Sequence, residues 1–153
     1  MEAGAPSAAV RLAAPDDLEP LIALAREYCL ADGHEFVEAR ARAGFTPLLA
    51  GHPLGQVWVA EHAAGACDVG YAVVTFGWSI EGGGAESLLD ELYVRQRGEG
   101  IGSRLLEAVL NAARVAGASR MFLETELANE GARRLYTRHG FEVEDSIWMQ
   151  RDL

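Results

Sequence analysis

The spacing of apolar and polar positions changes along the chain, and each change marks an expected element. Residues 88–94 form an apolar run broken only by Asp90 and Glu91, short enough for a buried strand. From Ile101 onward, Leu105, Val109 and Ala113 recur at every fourth position, with Leu106 and Leu110 widening the stripe. That is a helix with one buried face, expected to end near Ala116-Gly117. Upstream, residues 9–13 suit a short first strand. Leu18, Leu21, Ile22, Ala25 and Cys29 then mark one helical face as far as Asp32-Gly33, and Pro15, Asp16, Asp17 and Glu19 suit its start. A second helix is expected over 35–50, kinked or divided at Pro47.

Residues 56–61 read as a strand, followed by a turn near Ala64-Gly65. Over 68–78, Val69, Tyr71, Val73 and Thr75 alternate against Gly70, Ala72, Val74 and Phe76, the period of a long strand. The glycines at 82–84 turn the chain back into the 88–94 strand, so these two strands are expected to pair antiparallel. After the amphipathic helix, residues 121–125 form another strand. Asn129 caps a helix that runs through Ala132, Leu135 and Tyr136 to a stop at Gly140. Residues 141–143 and 147–149 complete the set as two short strands. A strand, helix, strand crossover is right-handed, which makes the 88–94 and 121–125 strands parallel neighbours.

Composition narrows the class. The chain has 153 residues and a formal net charge of −10, with half its residues apolar. Length and pattern give one domain over 9–153, preceded by a flexible 1–8. The acidic balance argues against nucleic acid as a partner, since phosphate backbones need a basic footprint. It is compatible with a cationic substrate. No apolar run reaches the ~20 residues of a membrane helix, and the N-terminal residues lack a signal pattern. Two cysteines, Cys29 and Cys67, carry no metal or redox spacing, which points to reduced thiols in a cytoplasmic protein. Four scattered histidines form no ligand cluster, so no metal is expected.

The chemistry lies where strand 88–94 runs into the helix. Arg97-Gly98-Glu99-Gly100-Ile101-Gly102 bridges them. A helix start carries unpaired N–H groups and the positive end of the helix dipole, and glycines let a ligand approach the backbone closely. A pyrophosphate is the expected guest. A Walker loop is excluded because no Gly-Lys-Ser/Thr follows. The dinucleotide fingerprint fails because Ser103 or Leu105 stands where its third glycine belongs.

The pattern R-x-x-G-x-G, here Arg97, Gly100 and Gly102, resembles the acyl-CoA loop of the GCN5-related N-acetyltransferases. A second motif supports it: Asn129, Ala132, Leu135, Tyr136, Gly140 and Phe141 are similar to that family's second cofactor motif, in the right order and spacing. On a helix, Asn129 and Tyr136 share one face roughly 10 Å apart. The resemblance implies an α/β fold with a mixed, largely antiparallel sheet of about six or seven strands and about four helices. In that family a bulge splays one parallel strand pair into an acyl-CoA cleft, and the resemblance implies the same here. It further implies transfer of an acetyl group from acetyl-CoA to a primary amine of a small molecule, by direct attack in a ternary complex. Acetylation of a protein or peptide amine, or a non-catalytic CoA-binding domain, are the alternatives. A homodimer is a family-level expectation.

Residue by residue, the resemblance places the backbone of Leu92, Tyr93 and Val94 along the pantetheine arm. Arg97, Gly98, Glu99, Gly100, Ile101, Gly102 and Ser103 lie around the pyrophosphate, and Asn129 on the pantetheine. The resemblance makes Tyr136 the general acid toward the sulfur. An alkyl amine arrives protonated, with a pKa near ~10, so a base must free it. Asp90 and Glu91 are the candidates, and only one can face the amine because successive strand side chains point to opposite faces. Alignment to the family favours Asp90; a bulge would reverse the phase and favour Glu91. A structural role for either stays open. The acceptor is assigned to Tyr28, His34, Glu35 and Phe36, with Asp32 and Trp78 nearby. Two features depart from the family: only Arg95 and Gln96 separate Val94 from Arg97, a shortened connection, and Glu99 puts an acid in the loop.

Overall fold

The computed structural model describes residues 8–62 and 68–153. The turn expected near Ala64-Gly65, Cys67 and most of the flexible 1–8 lie outside them. Ala8, assigned to the flexible start, instead opens β1 (Ala8–Leu12) and is buried. A short 3-10 turn at Pro15–Asp17 leads into α1 (Leu18–Ala31), then α2 (Glu38–Leu49). Next come β2 (Gly55–His62), β3 (Asp68–Ser79) and β4 (Gly84–Val94). The chain continues through α3 (Ile101–Val115), β5 (Met121–Leu123) and α4 (Glu130–Arg138). The second helix begins at Glu38 rather than at 35, and it runs through Pro47 as one helix. Proline there leaves the Ala43 carbonyl without its usual N–H partner, and the helix ends within one turn, at Leu49.

The sheet runs β1-β2-β3-β4-β5. Its first four strands pair antiparallel and β4–β5 pair parallel. Both relations of β4 are those expected from the turn at 82–84 and from the crossover. β3 sits at the centre, and its alternation feeds two cores. Ala72 and Val74 pack toward α3 with Leu105, Leu106 and Val109. Tyr71 and Val73 pack toward α1 and α2 with Leu21, Leu24 and Phe45. Each helix therefore buries the apolar stripe visible in its sequence. Gly70 is required in β3 because a Cβ there would lie 2.7 Å from the Tyr93 carbonyl oxygen.

Two expected strands do not form. Residues 141–143 and 147–149 are neither paired nor helical, which leaves five strands among the described residues. Phe141 still packs edge-on against Tyr136, ring centroids 5.8 Å apart, but every residue from Glu142 to Leu153 is exposed. The apolar alternation is present; a partner edge within bonding distance is not. None of the described helices is long and apolar enough to cross a membrane.

Candidate active site

The site is made by one extra residue in β4. Val73 of β3 pairs with Glu91, whereas Val74 pairs with Leu89, so Asp90 has no partner and forms a bulge. Two consequences follow. The parallel pairing with β5 covers only Ser87, Leu88 and Leu89 and stops at the bulge, so β4 from Asp90 to Val94 has a free edge on that side. The side-chain phase also reverses. Leu89 belongs to the core beneath α3, while Glu91 reaches the opposite face and accepts a 2.6 Å hydrogen bond from the Tyr71 hydroxyl. In a regular strand those two positions would share a face.

Glu91 is half-buried, and burial pushes its carboxyl up; the Tyr71 bond pulls it down in part, and Asp90 pushes it up again. Asp90 is exposed at the bulge but surrounded by protein, which raises its carboxyl. Tyr71 is fully buried, and desolvation, with Glu91 beside it, holds its phenol far above the usual range. Sequence reasoning missed Tyr71. It reads as one more core position of β3, and only the pairing across β4 brings it to Glu91.

Tyr28 stands over the same face. Its ring lies 5.8 Å from that of Tyr93, which in turn lies 6.5 Å from that of Tyr71. The Tyr28 phenol is raised by burial and by the fields of Asp32, Glu91 and Tyr136. The α1 end, the bulged strand and α4 therefore converge on one aromatic, acidic recess. Tyr136 enters it from α4, and burial, with Asp32 adding to it, raises its phenol to about 12. It is thus protonated at neutral pH and can donate. Of the other residues assigned to the acceptor, His34 and Glu35 are exposed. Phe36 packs against the α1–α2 core with the Arg26 guanidinium 5.1 Å from its ring centre. Trp78 is 76% exposed near the tip of the β3–β4 hairpin, paired with Ala85 and well along the strand from Glu91.

Below the recess, the glycine loop has the form an anion requires. Gly98 and Gly100 adopt φ of +90° and +73°, a left-handed backbone that other residues enter only with strain, and nothing stands within 4 Å of where their Cβ atoms would be. No side chain caps α3 and no acid occupies its first turn; its first backbone bond is Arg104 N–H to the Gly100 carbonyl at 3.2 Å. The preceding N–H groups are left for a ligand. Ile101 is buried and anchors the helix start, and Gly102 faces the Leu135 side chain of α4. Glu99 is exposed, as are Arg97, Gly98 and Gly100. The Arg97 guanidinium reaches the first turn of α4, beside Gly131. Ser103 Oγ lies 3.2 Å from Nε2 of His139, a residue the motif did not single out.

Asn129 caps α4: its side-chain oxygen accepts from the Ala132 N–H at 3.2 Å, which leaves its amide NH2 free to donate. Leu92 and Val94 pack toward α3, and Tyr93 toward α1, where its hydroxyl donates to Glu27 at 3.4 Å. Glu27 also holds Arg95 at 2.8 Å, and Arg95 in turn donates to the Asp68 carbonyl at 2.8 Å. The short connection of Arg95 and Gln96 is thereby tied to both α1 and β3. Cys29 is a free thiol. Among the described residues, Asp17, Glu61 and Asp68 bring carboxylates together; Arg11 lies between the first two, bonding Asp17 at 2.8 Å.

Comparisons agree with this geometry. The curated relatives include L-methionine sulfoximine/L-methionine sulfone acetyltransferases of Pseudomonas paraeruginosa and Pseudomonas aeruginosa. They are 33% and 32% identical over 117 residues, covering 74% of this chain. The chain spans about 60% of the length of these relatives. Among solved structures, an integron cassette protein from the mobile metagenome of Cole Harbour Salt Marsh is 31% identical, with a TM-score of 0.81 over 94% of this chain and 90% of that one. A predicted acetyltransferase from Clostridium acetobutylicum, solved with acetyl-CoA, shares the fold at 20% identity, with a TM-score of 0.79 over 95% of this chain and 96% of that one. The model of the acetyltransferase (GNAT) family matches residues 21–141, which take in the recess, the bulge, the glycine loop and α4, and the chain belongs to that family.

Proposed function

We propose that the protein transfers an acetyl group from acetyl-CoA to the primary amine of a small molecule, by direct attack with both substrates bound. The observation that carries this reading is the bulge at Asp90. It frees an edge of β4 beside the glycine loop and at the same time turns Glu91 into the recess that Tyr136 and Tyr28 share.

The residues present suit the donor. The uncapped start of α3 with Gly98 and Gly100, assisted by Arg97, would hold the pyrophosphate, and Asn129 and the free edge at Leu92–Val94 would hold the pantetheine. Bound there, acetyl-CoA supplies an activated acyl group. The chain's own residues do the proton work. Glu91, raised by burial and steadied by Tyr71, takes the proton from the ammonium, directly or through water, and thereby creates the nucleophile. Of the two acids, the bulge favours Glu91, since Asp90 is the residue left at the kink. Tyr136 keeps its proton at neutral pH and delivers it to the departing sulfur. A free N–H of the splayed strand is positioned to stabilise developing negative charge on oxygen. No cysteine is needed in such a route.

A small acceptor accords with the names of the curated relatives, and an amino-acid derivative with a free amine is the first class to try. The acids of the recess suit an ammonium group. A cytoplasmic setting accords with the free thiol of Cys29. Calorimetric titration with acetyl-CoA, then with free CoA, tests the donor site without a guess at the acceptor, and micromolar binding is expected. Thiol release with methionine sulfone, other amino-acid derivatives and polyamines then identifies the acceptor class. No binding at millimolar acetyl-CoA would overturn the proposal.

A further inference from the structure

A buried carboxylate lies unpartnered where β2 and β3 meet the turn ahead of α1. Asp68 is 7% exposed, and among the described residues its Oδ2 is the one buried side-chain polar atom with no hydrogen-bond partner. An ionised oxygen buried alone is unfavourable, so such groups are paired, neutralised or bound to a cation. Asp68 pairs across the ladder with Glu61 of β2, and Asp17 comes from the 3-10 turn. Each of the three offers a carboxylate oxygen, and these oxygens lie within 4.8 Å of one another. The cluster stands apart from the recess: Asp68 is roughly 17 Å along β3 from Val73, the partner of Glu91.

The neighbouring cations do not serve the Asp68 carboxylate. Arg11 has five N–H groups, and all are committed. Nε and one N–H of Nη2 go to Glu61 Oε1, the other N–H of Nη2 and one of Nη1 go to Asp17, and the last goes to the Leu12 carbonyl at 3.2 Å. Arg95 meets the backbone carbonyl of Asp68 at 2.8 Å and turns Nε and Nη2 to Glu27. Three carboxylates against the guanidinium of Arg11 leave two negative charges unbalanced when all are ionised. Burial raises the Asp68 carboxyl, and Asp17 and Glu61 add to it, against Arg11 and Arg95.

We propose that Asp17, Glu61 and Asp68 bind a hard divalent cation of calcium's size, at a site independent of acetyl transfer. A divalent ion offsets both unbalanced charges and gives Asp68 Oδ2 its missing partner. An all-oxygen donor set suits a hard ion rather than zinc or copper. Oxygens on opposite sides of a calcium ion stand about 4.6–5.2 Å apart, so three oxygens within 4.8 Å of one another fit around it. Calcium also accepts irregular geometry and bidentate carboxylates, whereas magnesium demands a near-ideal octahedron. The Glu61 side chain is 38% exposed, which opens the cluster to solvent, so water can fill the remaining positions. A bound ion would brace the facing ends of β2 and β3 against the start of α1.

The test is calorimetric titration of the chelator-treated full chain with calcium chloride at neutral pH, beside thermal melts. One site is expected, with a dissociation constant of about 10⁻⁵–10⁻³ M. Calcium at about ten times that constant should raise the thermal midpoint by about 3–6 °C. Asp68→Asn keeps the shape and removes the unpartnered charge. It should melt no lower than wild type without calcium, and should bind calcium at least about tenfold more weakly. Glu61→Gln, at the open side of the cluster, should also weaken calcium binding, and both variants should bind acetyl-CoA as wild type does. No heat and no midpoint shift at about 10 mM calcium would overturn the proposal. So would an equal calcium response in wild type and both variants, since the ion would then sit elsewhere on an acidic surface. Magnesium acting as strongly as calcium would overturn the assignment of ion size.

Discussion

Replacing Tyr71 by Phe tests the chemistry at its centre, because it removes one oxygen and almost nothing else. The ring is fully buried and packs edge-on against Phe45 at 5.8 Å, and Phe can keep that packing. What is lost is the 2.6 Å bond from the hydroxyl to Glu91. A hydrogen bond to a charged group is worth about 1.5–3 kcal/mol, and this one favours the ionised carboxylate over its protonated form. Without it, burial acts unopposed and the Glu91 carboxyl rises further. As the base must be ionised to accept a proton, the acid limb of the kcat/KM profile should move to higher pH. At a pH above that limb the rate should recover much of its wild-type value, because the base is retained. Removing the base itself, in Glu91→Gln, should cost about 10²- to 10⁴-fold at neutral pH, with acetyl-CoA binding unchanged. The assay is thiol release across a pH series with a saturating amine, beside calorimetry for the donor. An unmoved acid limb in Tyr71→Phe, with a full rate in Glu91→Gln, would refute the assignment of Glu91 and return attention to Asp90 or to a water.

Tyr136→Phe should lose most of its turnover and keep its affinity for CoA, measured by thiol release and calorimetry; full turnover would remove the phenol from the reaction. In Gly100→Ala a Cβ is forced into left-handed backbone at the start of α3, at roughly 1–2 kcal/mol, so acetyl-CoA affinity should fall and the thermal midpoint should drop by about 2–8 °C. The Arg11–Asp17 pair makes stability depend on acid. Arg11 holds the Asp17 carboxyl below its unfolded value, so the stabilisation is present above the unfolded pKa and is lost as pH falls through the folded one. Arg11→Ala should therefore lower the denaturation midpoint at neutral pH and flatten its fall in acid. Glu91 has the opposite sign. Its folded carboxyl is raised, so its contribution is fully present below the unfolded pKa and is lost as pH rises through the folded one. Glu91→Gln should accordingly gain stability relative to wild type as pH rises, followed by thermal melts at several pH values.

Much of this molecule was legible as a sequence because the relevant physics is local. The period of Ile101, Leu105 and Val109 announces α3 and its buried face. Asn129 caps the helix it was expected to cap, and Gly117 and Gly140 end helices with positive φ. The glycine loop declares itself because few residue types tolerate that backbone, and the antiparallel and parallel partners of β4 follow from a tight turn and a right-handed crossover. Tertiary structure decided what depends on register between distant residues. Whether Asp90 or Glu91 faces the recess turns on a single unpaired residue in β4, and a bulge is set by how β3 and β4 mate, not by the strand's own pattern. Tyr71 gains its partner the same way. The tail shows the converse: Phe141, Val143, Ile147 and Met149 have the composition of strands, yet a strand exists only beside another edge, and the single chain brings none to them.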